Sequence, residues 1–233
     1  MGVKGADAKF TAKGLAARAR IVEHAAELIY THGVHGTSNE LLRKASGVSG
    51  SQLTHYFPDK ESLVLAVIEW QTQRILTLHA GSGFAGFDTI DALREWAAFY
   101  LSHERVCQEG CTLGSLAAEI VKADLDVRDQ LAADFDRWKD VLRAGLDRMR
   151  EHGRLRSDAD PERLANLLLA AMQGGMLLAQ IARDITPLRD ALTAAIDHVQ
   201  SFEAPQAPTP RMTPSKQANG PHGRRFTGRG GRH

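Results

Sequence analysis

Between Thr37 and Leu63 the chain reads TSNELLRKASGVSGSQLTHYFPDKESL, and three helices start within those 27 residues. In Thr37-Ser-Asn-Glu40 a hydroxyl can accept the amide three residues on while Glu40 reaches back to the cap, the reciprocal arrangement of a capping box. One helix is therefore predicted to begin at Thr37 or Ser38 and to run through Leu41, Leu42 and Ala45. Gly47 supplies the left-handed backbone of a sharp turn. Ser49-Gly-Ser-Gln52 is a second capping box and starts a short helix directly after that turn. Pro58-Asp59-Lys60 opens the third helix, with Asp59 as its N-cap. Two short helices joined by a tight Gly turn, with Leu42, Val48 and Leu53 to lock the corner, make a helix-turn-helix. Its second helix presents Gln52, Thr54, His55 and Tyr56, hydrogen-bonding and aromatic groups suited to a DNA groove and its phosphates. Phe57 reads as core.

The remainder of the chain is helical by period. Ile21, Ala25, Leu28 and Ile29 share one helix face, and that segment stops at Gly33. Further helices are predicted over about 60–79, 89–106, 112–122, 125–151, 161–183 and 187–202, separated by breakers such as GSGFAGFD and HGRLRSDAD. No alternating strand pattern of useful length competes with them. The predicted fold is all-α with about nine helices. It divides into a flexible N-terminal arm (1–14), a three-helix helix-turn-helix domain (15–60), a helical body (61–203) and a disordered basic tail (204–233).

A length of 233 residues with 43% apolar content is enough to bury a sizeable core. Neither a continuous apolar run of about 18 residues nor a signal-peptide centre is present, which predicts a soluble cytoplasmic protein with no membrane partner. Charge is unevenly spread. Residues 1–60 carry eight Lys/Arg against five Asp/Glu, residues 61–203 carry 15 against 23, and residues 204–233 carry six against none. Basic ends and an acidic middle fit a chain whose ends meet polyanions while its body does something else. The tail, rich in Pro and Gly, is either a solubilising extension or a source of non-specific attraction to nucleic acid. Cys107 and Cys111, the two cysteines, are too few for a disulfide framework and lack zinc-site spacing, so neither metal nor cofactor is expected. No G-x-S-x-G, H-E-x-x-H or P-loop occurs and the ten histidines are scattered, so enzymatic activity is not expected either.

Gly33, Gly36, Thr37, Leu42, Gly47-Val48-Ser49, Leu53, Tyr56-Phe57-Pro58, Lys60-Glu61 and Leu63 stand at fixed spacing over nearly 50 residues. This pattern resembles the DNA-binding domain of the tetracycline-repressor (TetR) family. Three positions depart from it: Arg43 replaces a small residue, Ser46 an alanine, and Thr54 a tyrosine that contacts phosphate in family members. The resemblance implies a homodimer that sets two recognition helices in successive major grooves of palindromic double-stranded DNA. The DNA contacts would come from Thr37, Ser49, Gln52, Thr54, His55, Tyr56 and Lys60. It also implies a small-molecule effector that releases a repressor from its operator on the nucleoid, with an activator using the same head as the alternative. A non-specific nucleic-acid binder driven by the tail is a further alternative.

The dimer surface is expected from the last two helices. The segment NLLLAAMQGGMLLAQIARD is apolar around much of its circumference, and two mid-helix glycines each cost about 1 kcal/mol in propensity. Close approach across an interface would offset that cost; a kink lining a pocket is the rival. Leu168, Gly174, Gly175, Leu178, Leu188, Leu192 and Ile196 are the expected interface residues. The effector site is expected in the acidic body, at Trp96, Tyr100, His103, Cys107, Cys111, Trp138, Met172 and Met176. Gly110-Cys111-x-x-Gly114-x-Leu116-Ala117-x-Glu119 resembles a subset of the family in which that cysteine lies near the ligand cavity, and some such regulators sense electrophiles. A helix N-terminus would favour a Cys111 thiolate, whereas a buried Cys is an inert small hydrophobe.

Overall fold

The computed structural model describes residues 10–81, 85–102, 107, 110–120 and 126–205. The expected tail from residue 206 onward and His103 lie outside the described residues. The α-helices are α1 (Ala12–Gly36), α2 (Asn39–Ser46), α3 (Gly50–Tyr56), α4 (Lys60–Gly81), α5 (Ile90–Leu101), α6 (Thr112–Ile120), α7 (Arg128–Glu151), α8 (Pro161–Ala182) and α9 (Thr186–Gln200), with a 3₁₀ turn at Ala85–Phe87. The all-α expectation holds: the described residues contain nine α-helices and, in place of strands, one isolated bridge between Leu155 and Glu203.

Local capping sets most of the boundaries, and it moves two of them. Thr11 accepts from the Gly14 amide at 3.2 Å, so α1 starts at Ala12 and the boundary expected at residue 14 falls inside its first turn. At the other end Gly33 takes φ +75° and breaks the helix. The Thr37 amide and hydroxyl both return to the Gly33 carbonyl, at 3.1 and 2.9 Å. Thr37 therefore closes α1 instead of opening α2. The N-cap of α2 is Ser38, which accepts from Leu41 N at 3.2 Å. Gly47 sits at φ +69° as the turn requires. Both halves of the second capping box form, Gln52 N to Ser49 Oγ at 3.2 Å and Ser49 N to Gln52 Oε1 at 2.9 Å.

Ile21, Ala25 and Ile29 of α1, Leu42 of α2, Leu53 of α3 and Phe57 form the core of a small head that closes on Leu63 and Val67 of α4. Because α4 continues to Gly81, the same helix enters the core of the body. There Arg137 of α7 pairs with the fully buried Asp134 at 2.7 Å and reaches Glu69 of α4 at 3.0 Å, so the buried carboxylate is satisfied while the two helices are joined.

The last two helices correct one expectation. Leu168, Leu188 and Leu192 are 0% exposed and Ile196 is 3% exposed within a single chain. A Cβ on Gly175 would stand 2.9 Å from Leu188 Cα, so that glycine admits α9 against α8 of the same protomer. These five residues, expected at an interface between copies, are buried within one protomer. The period was read correctly, but a helix that is apolar all round does not reveal which side its own chain covers. Gly174 and Leu178 do face outward, in a stripe with Leu167, Leu177 and Ile181. By length and composition α8 could cross a bilayer, yet its inner side packs on the body.

Candidate nucleic-acid interface and effector cavity

Leu53 is the buried residue of α3, and Ser51, Gln52, Thr54 and His55 are exposed. Capping occupies the Gln52 oxygen and leaves an amide group with two N–H donors. Ser49 is committed to the cap, and Thr54 donates to the Gly50 carbonyl at 3.1 Å. Tyr56 leans on α1, its hydroxyl 3.3 Å from where a Cβ on Gly14 would stand. Its ring meets Phe10 at 5.1 Å and His55 at 5.2 Å, and Phe10 meets His55 edge-on at 5.7 Å. Phe10 escaped the sequence reading; its only signal was an aromatic residue directly before a capping threonine.

Two expected phosphate contacts are placed differently from the rest. Thr37 is 2% exposed and both its polar groups point back into the head, so it is not on the outward face of α3. The Lys60 ammonium, half-buried, donates to the Thr37 carbonyl, and burial draws its pKa below the ordinary lysine value. Lys60 thus ties the end of α1 to the start of α4. Arg43, noted from sequence only as a departure, is exposed and lies along the first residue of α3, its Nε 3.9 Å from a Cβ position on Gly50. It puts a cation beside the reading helix.

In the body a cavity of about 1240 Å³ opens between α1, α4, α5, the start of α6, α7 and α8. Tyr100, Cys111, Trp138, Met172 and Met176 line it, as expected from the sequence. Trp96 and Cys107 do not. Trp96 is fully buried behind the wall, where its indole donates to His79 Nε2 at 3.3 Å and the Tyr100 hydroxyl approaches the same nitrogen at 3.2 Å. Burial holds His79 neutral, with its pKa pulled down to about 4, and pushes the Tyr100 phenol upward. The sequence reading missed Tyr30 of α1 and Trp70, Gln71 and Arg74 of α4 as lining residues. The sequence places α1 in the head, and the cavity sides of α1 and α4 carry no motif.

Cys111 caps α6: its sulfur accepts from Gly114 N at 3.3 Å and from Gln173 Nε2 at 3.5 Å. Burial pushes the thiol pKa up, and those hydrogen bonds offset the rise only in part. The helix N-terminus therefore does not produce a thiolate here, because desolvation outweighs the dipole. The far end of the same helix does something the sequence did not announce. Glu119 accepts from Val34 N at 2.6 Å, 85 residues away in sequence, against the Gly33 elbow. The start of α6 is cavity wall and its end holds the head.

Two family models match the chain. Residues 21–67 match the model of bacterial regulatory proteins of the tetR family, and residues 86–195 match that of the tetracyclin repressor-like C-terminal domain, together about two thirds of the chain. The transcriptional repressor DhaR of Mycobacterium sp. (strain GP1) is 24% identical over 181 residues, covering 77% of this chain and 90% of DhaR. The transcriptional repressor NemR of Escherichia coli K12 is 28% identical over 177 residues, covering 72% and 84%. Among solved structures, a TetR transcriptional regulator from Chloroflexus aurantiacus superposes with a TM-score of 0.70 at 25% identity, covering 83% of this chain and 98% of that one. The reduced form of E. coli NemR gives 0.68 at 24% identity, covering 82% and 100%.

Proposed function

Because this chain belongs to the TetR family of transcriptional regulators and is not an enzyme, we propose that it is a homodimeric repressor that leaves a palindromic operator when a small molecule fills its cavity. One observation carries the reading: cavity and reading head are built on the same helices. Tyr30 on α1, Gln71 and Arg74 on α4 and Cys111 before α6 line the cavity. The head-side ends of these helices meet at Gly33–Thr37, held by Lys60 from α4 and Glu119 from α6. A ligand that shifts α4 or α6 moves that junction, and the coupling typical of such switches is about 1–3 kcal/mol.

The outward stripe of α8 (Leu167, Gly174, Leu177, Leu178 and Ile181) supports dimerisation, since an exposed apolar face of this kind asks for a partner. A dimer sets two α3 helices roughly 34–36 Å apart, one turn of DNA. Gln52, Thr54, His55 and Arg43 are the side chains it would offer to bases and phosphates. Repression is favoured over activation because the relatives DhaR and NemR are named repressors. The work is done in the cytoplasm, on nucleoid DNA. An electrophilic effector captured by Cys111 has less support than a non-covalent one, because the thiol is capped, partly buried and held protonated.

A mobility-shift titration with the DNA upstream of the protein's own gene tests the proposal. A salt-dependent, sequence-specific shift at dimer stoichiometry, reversed by a small molecule, is the expected result. Equal affinity for scrambled DNA would sink it.

A further inference from the structure

The ring of Phe10 reaches the reading helix from outside the helix-turn-helix. It precedes α1 and lies ahead of residues 21–67, the stretch that matches the family's DNA-binding model. Half-buried, it meets His55 edge to face with centroids 5.7 Å apart and Tyr56 at 5.1 Å, while His55 and Tyr56 meet at 5.2 Å. The three rings close a triangle at the C-terminal end of α3. Gly14 leaves room for it, since a Cβ there would stand 3.3 Å from both Phe10 Cβ and the Tyr56 hydroxyl oxygen, tighter than ordinary contact. Thr11, which accepts from Gly14 N, fixes the backbone next to Phe10.

The exposed side chains of α3 are restrained in different ways. Leu53 is the helix's one buried residue, so the core orients the helix but not its outward rotamers. Gln52 is held by the capping box and Thr54 by its bond to the Gly50 carbonyl. His55 makes no hydrogen bond among the described residues, and the rings of Phe10 and Tyr56 are what hold its imidazole.

We propose that Phe10 is a positioning residue for operator recognition: it holds the His55 imidazole against Tyr56, so that the ring nitrogens of His55 are already aimed when they meet a base edge. DNA binding then orders one side chain fewer, and the saving is specific to the sequence that His55 reads. Phe10 acts through His55 and touches no base itself. The inference rests on the reading of α3 as the helix that enters the groove.

Two measurements on the full chain test it. Without DNA, the carbon-bound ring protons of His55 should resonate away from their free-imidazole positions in proton–carbon NMR spectra. Phe10→Leu should move them and Phe10→Tyr should keep them; no movement in Phe10→Leu overturns the inference. In mobility-shift titrations with the DNA upstream of the protein's own gene, Phe10→Leu should lose about three- to tenfold of operator affinity, the worth of an aromatic pair. Affinity for scrambled DNA should hold, and Phe10→Tyr should recover the operator affinity. In a His55→Ala background, itself weakened, the further change Phe10→Leu should cost less than about twofold, because the ring it positions is gone. A role in stability alone gives the same loss in both backgrounds, so this comparison decides even if Phe10→Leu lowers the thermal midpoint. Equal losses in both backgrounds, or a His55→Ala chain that binds operator as the wild type does, would overturn the inference. A wild-type chain with no preference for operator over scrambled DNA sinks the repressor reading and this inference with it. A wild-type preference that Phe10→Leu leaves intact sinks this inference alone.

Discussion

Two helices face outward in this chain, and what they offer differs. On α3 a single leucine is buried and the exposed residues are Ser51, Gln52, Thr54 and His55, all hydrogen-bonding groups. On α8 both sides are apolar. Leu164, Leu168, Met172 and Met176 face the body, while Leu167, Leu177, Leu178 and Ile181 face solvent, Ile181 at 73% exposed. A polar outward face suits a polyanion with a patterned groove; an apolar outward face suits another apolar surface, and a second copy of the same helix is self-complementary by symmetry. On the proposed function, the difference matches two kinds of partner to two faces. It also ties them together, because a seven-residue reading helix needs a second one at fixed distance to bind with useful affinity.

The largest effect should follow from spoiling the apolar face. Leu178→Glu combined with Ile181→Glu should leave the helical signal intact, convert the protein to a monomer in sedimentation, and lower operator affinity by roughly 10²–10⁴-fold, the value of linking two weak modules. A dimer that survives both charges means the interface lies elsewhere, and the contrast between α3 and α8 fails.

Between the two faces lies the packed body, which buries His79 against Trp96 and Tyr100. Folding lowers the pKa of this imidazole from 6.5 to about 4. Between those values the unfolded chain binds a proton that the native chain refuses, so stability falls as pH drops from about 6.5 towards 4. The loss can reach roughly 3 kcal/mol. Urea midpoints recorded at both ends of that range should show it, and His79→Gln should flatten the slope. An unchanged slope would assign the acid sensitivity to another group.

How much of this was readable beforehand depended on how local the cause was. The turn at Gly47 and the Ser49–Gln52 box are settled by neighbours within four residues, and both were anticipated. The sequence left the cap of α2 open between Thr37 and Ser38 because two adjacent hydroxyls compete for it, and the Gly33 carbonyl behind them decides for Ser38 by holding Thr37. The cavity side of the α5–α6 region was visible as a spaced set of aromatic and sulfur residues. Trp96 nevertheless turned out to lie behind the wall, since a period gives a face and not a depth. Gln71 carried no local signal, and Glu119 stood out only as the end of a motif that says nothing of its bond to Val34 N; a cavity and a partner 85 residues away are set by tertiary packing.

Glu119 tests whether the cavity communicates with the α3 face through α6. Glu119→Ala removes the acceptor from Val34 N without touching the cavity or the reading helix. Ligand affinity measured without DNA should hold. Ligand-induced release from the operator should shrink by about 1–3 kcal/mol, up to the whole coupling of such switches. Glu119→Gln, which keeps an acceptor oxygen, should recover part of it. Undiminished release in Glu119→Ala would leave the connection to α1 and to α4, the latter through Lys60 and the Thr37 carbonyl.

The smallest effect is the most local one and probes the α3 side of the comparison. Ser49→Ala deletes the hydroxyl that accepts from Gln52 N, which costs about 1 kcal/mol of helix stability. The same change frees the Gln52 side chain from its reciprocal role, because a capping box needs both members. In a helix of 24 residues such as α7 the loss would be spread over many other contacts. In α3, with one buried leucine, it falls on the element that reads DNA. The substitution should therefore leave the thermal midpoint of the body nearly unchanged while weakening operator binding by about fivefold, the same energy read as a binding constant. If the midpoint falls and operator affinity does not, the helix is ordered by the head's core alone, and its cap contributes nothing to recognition.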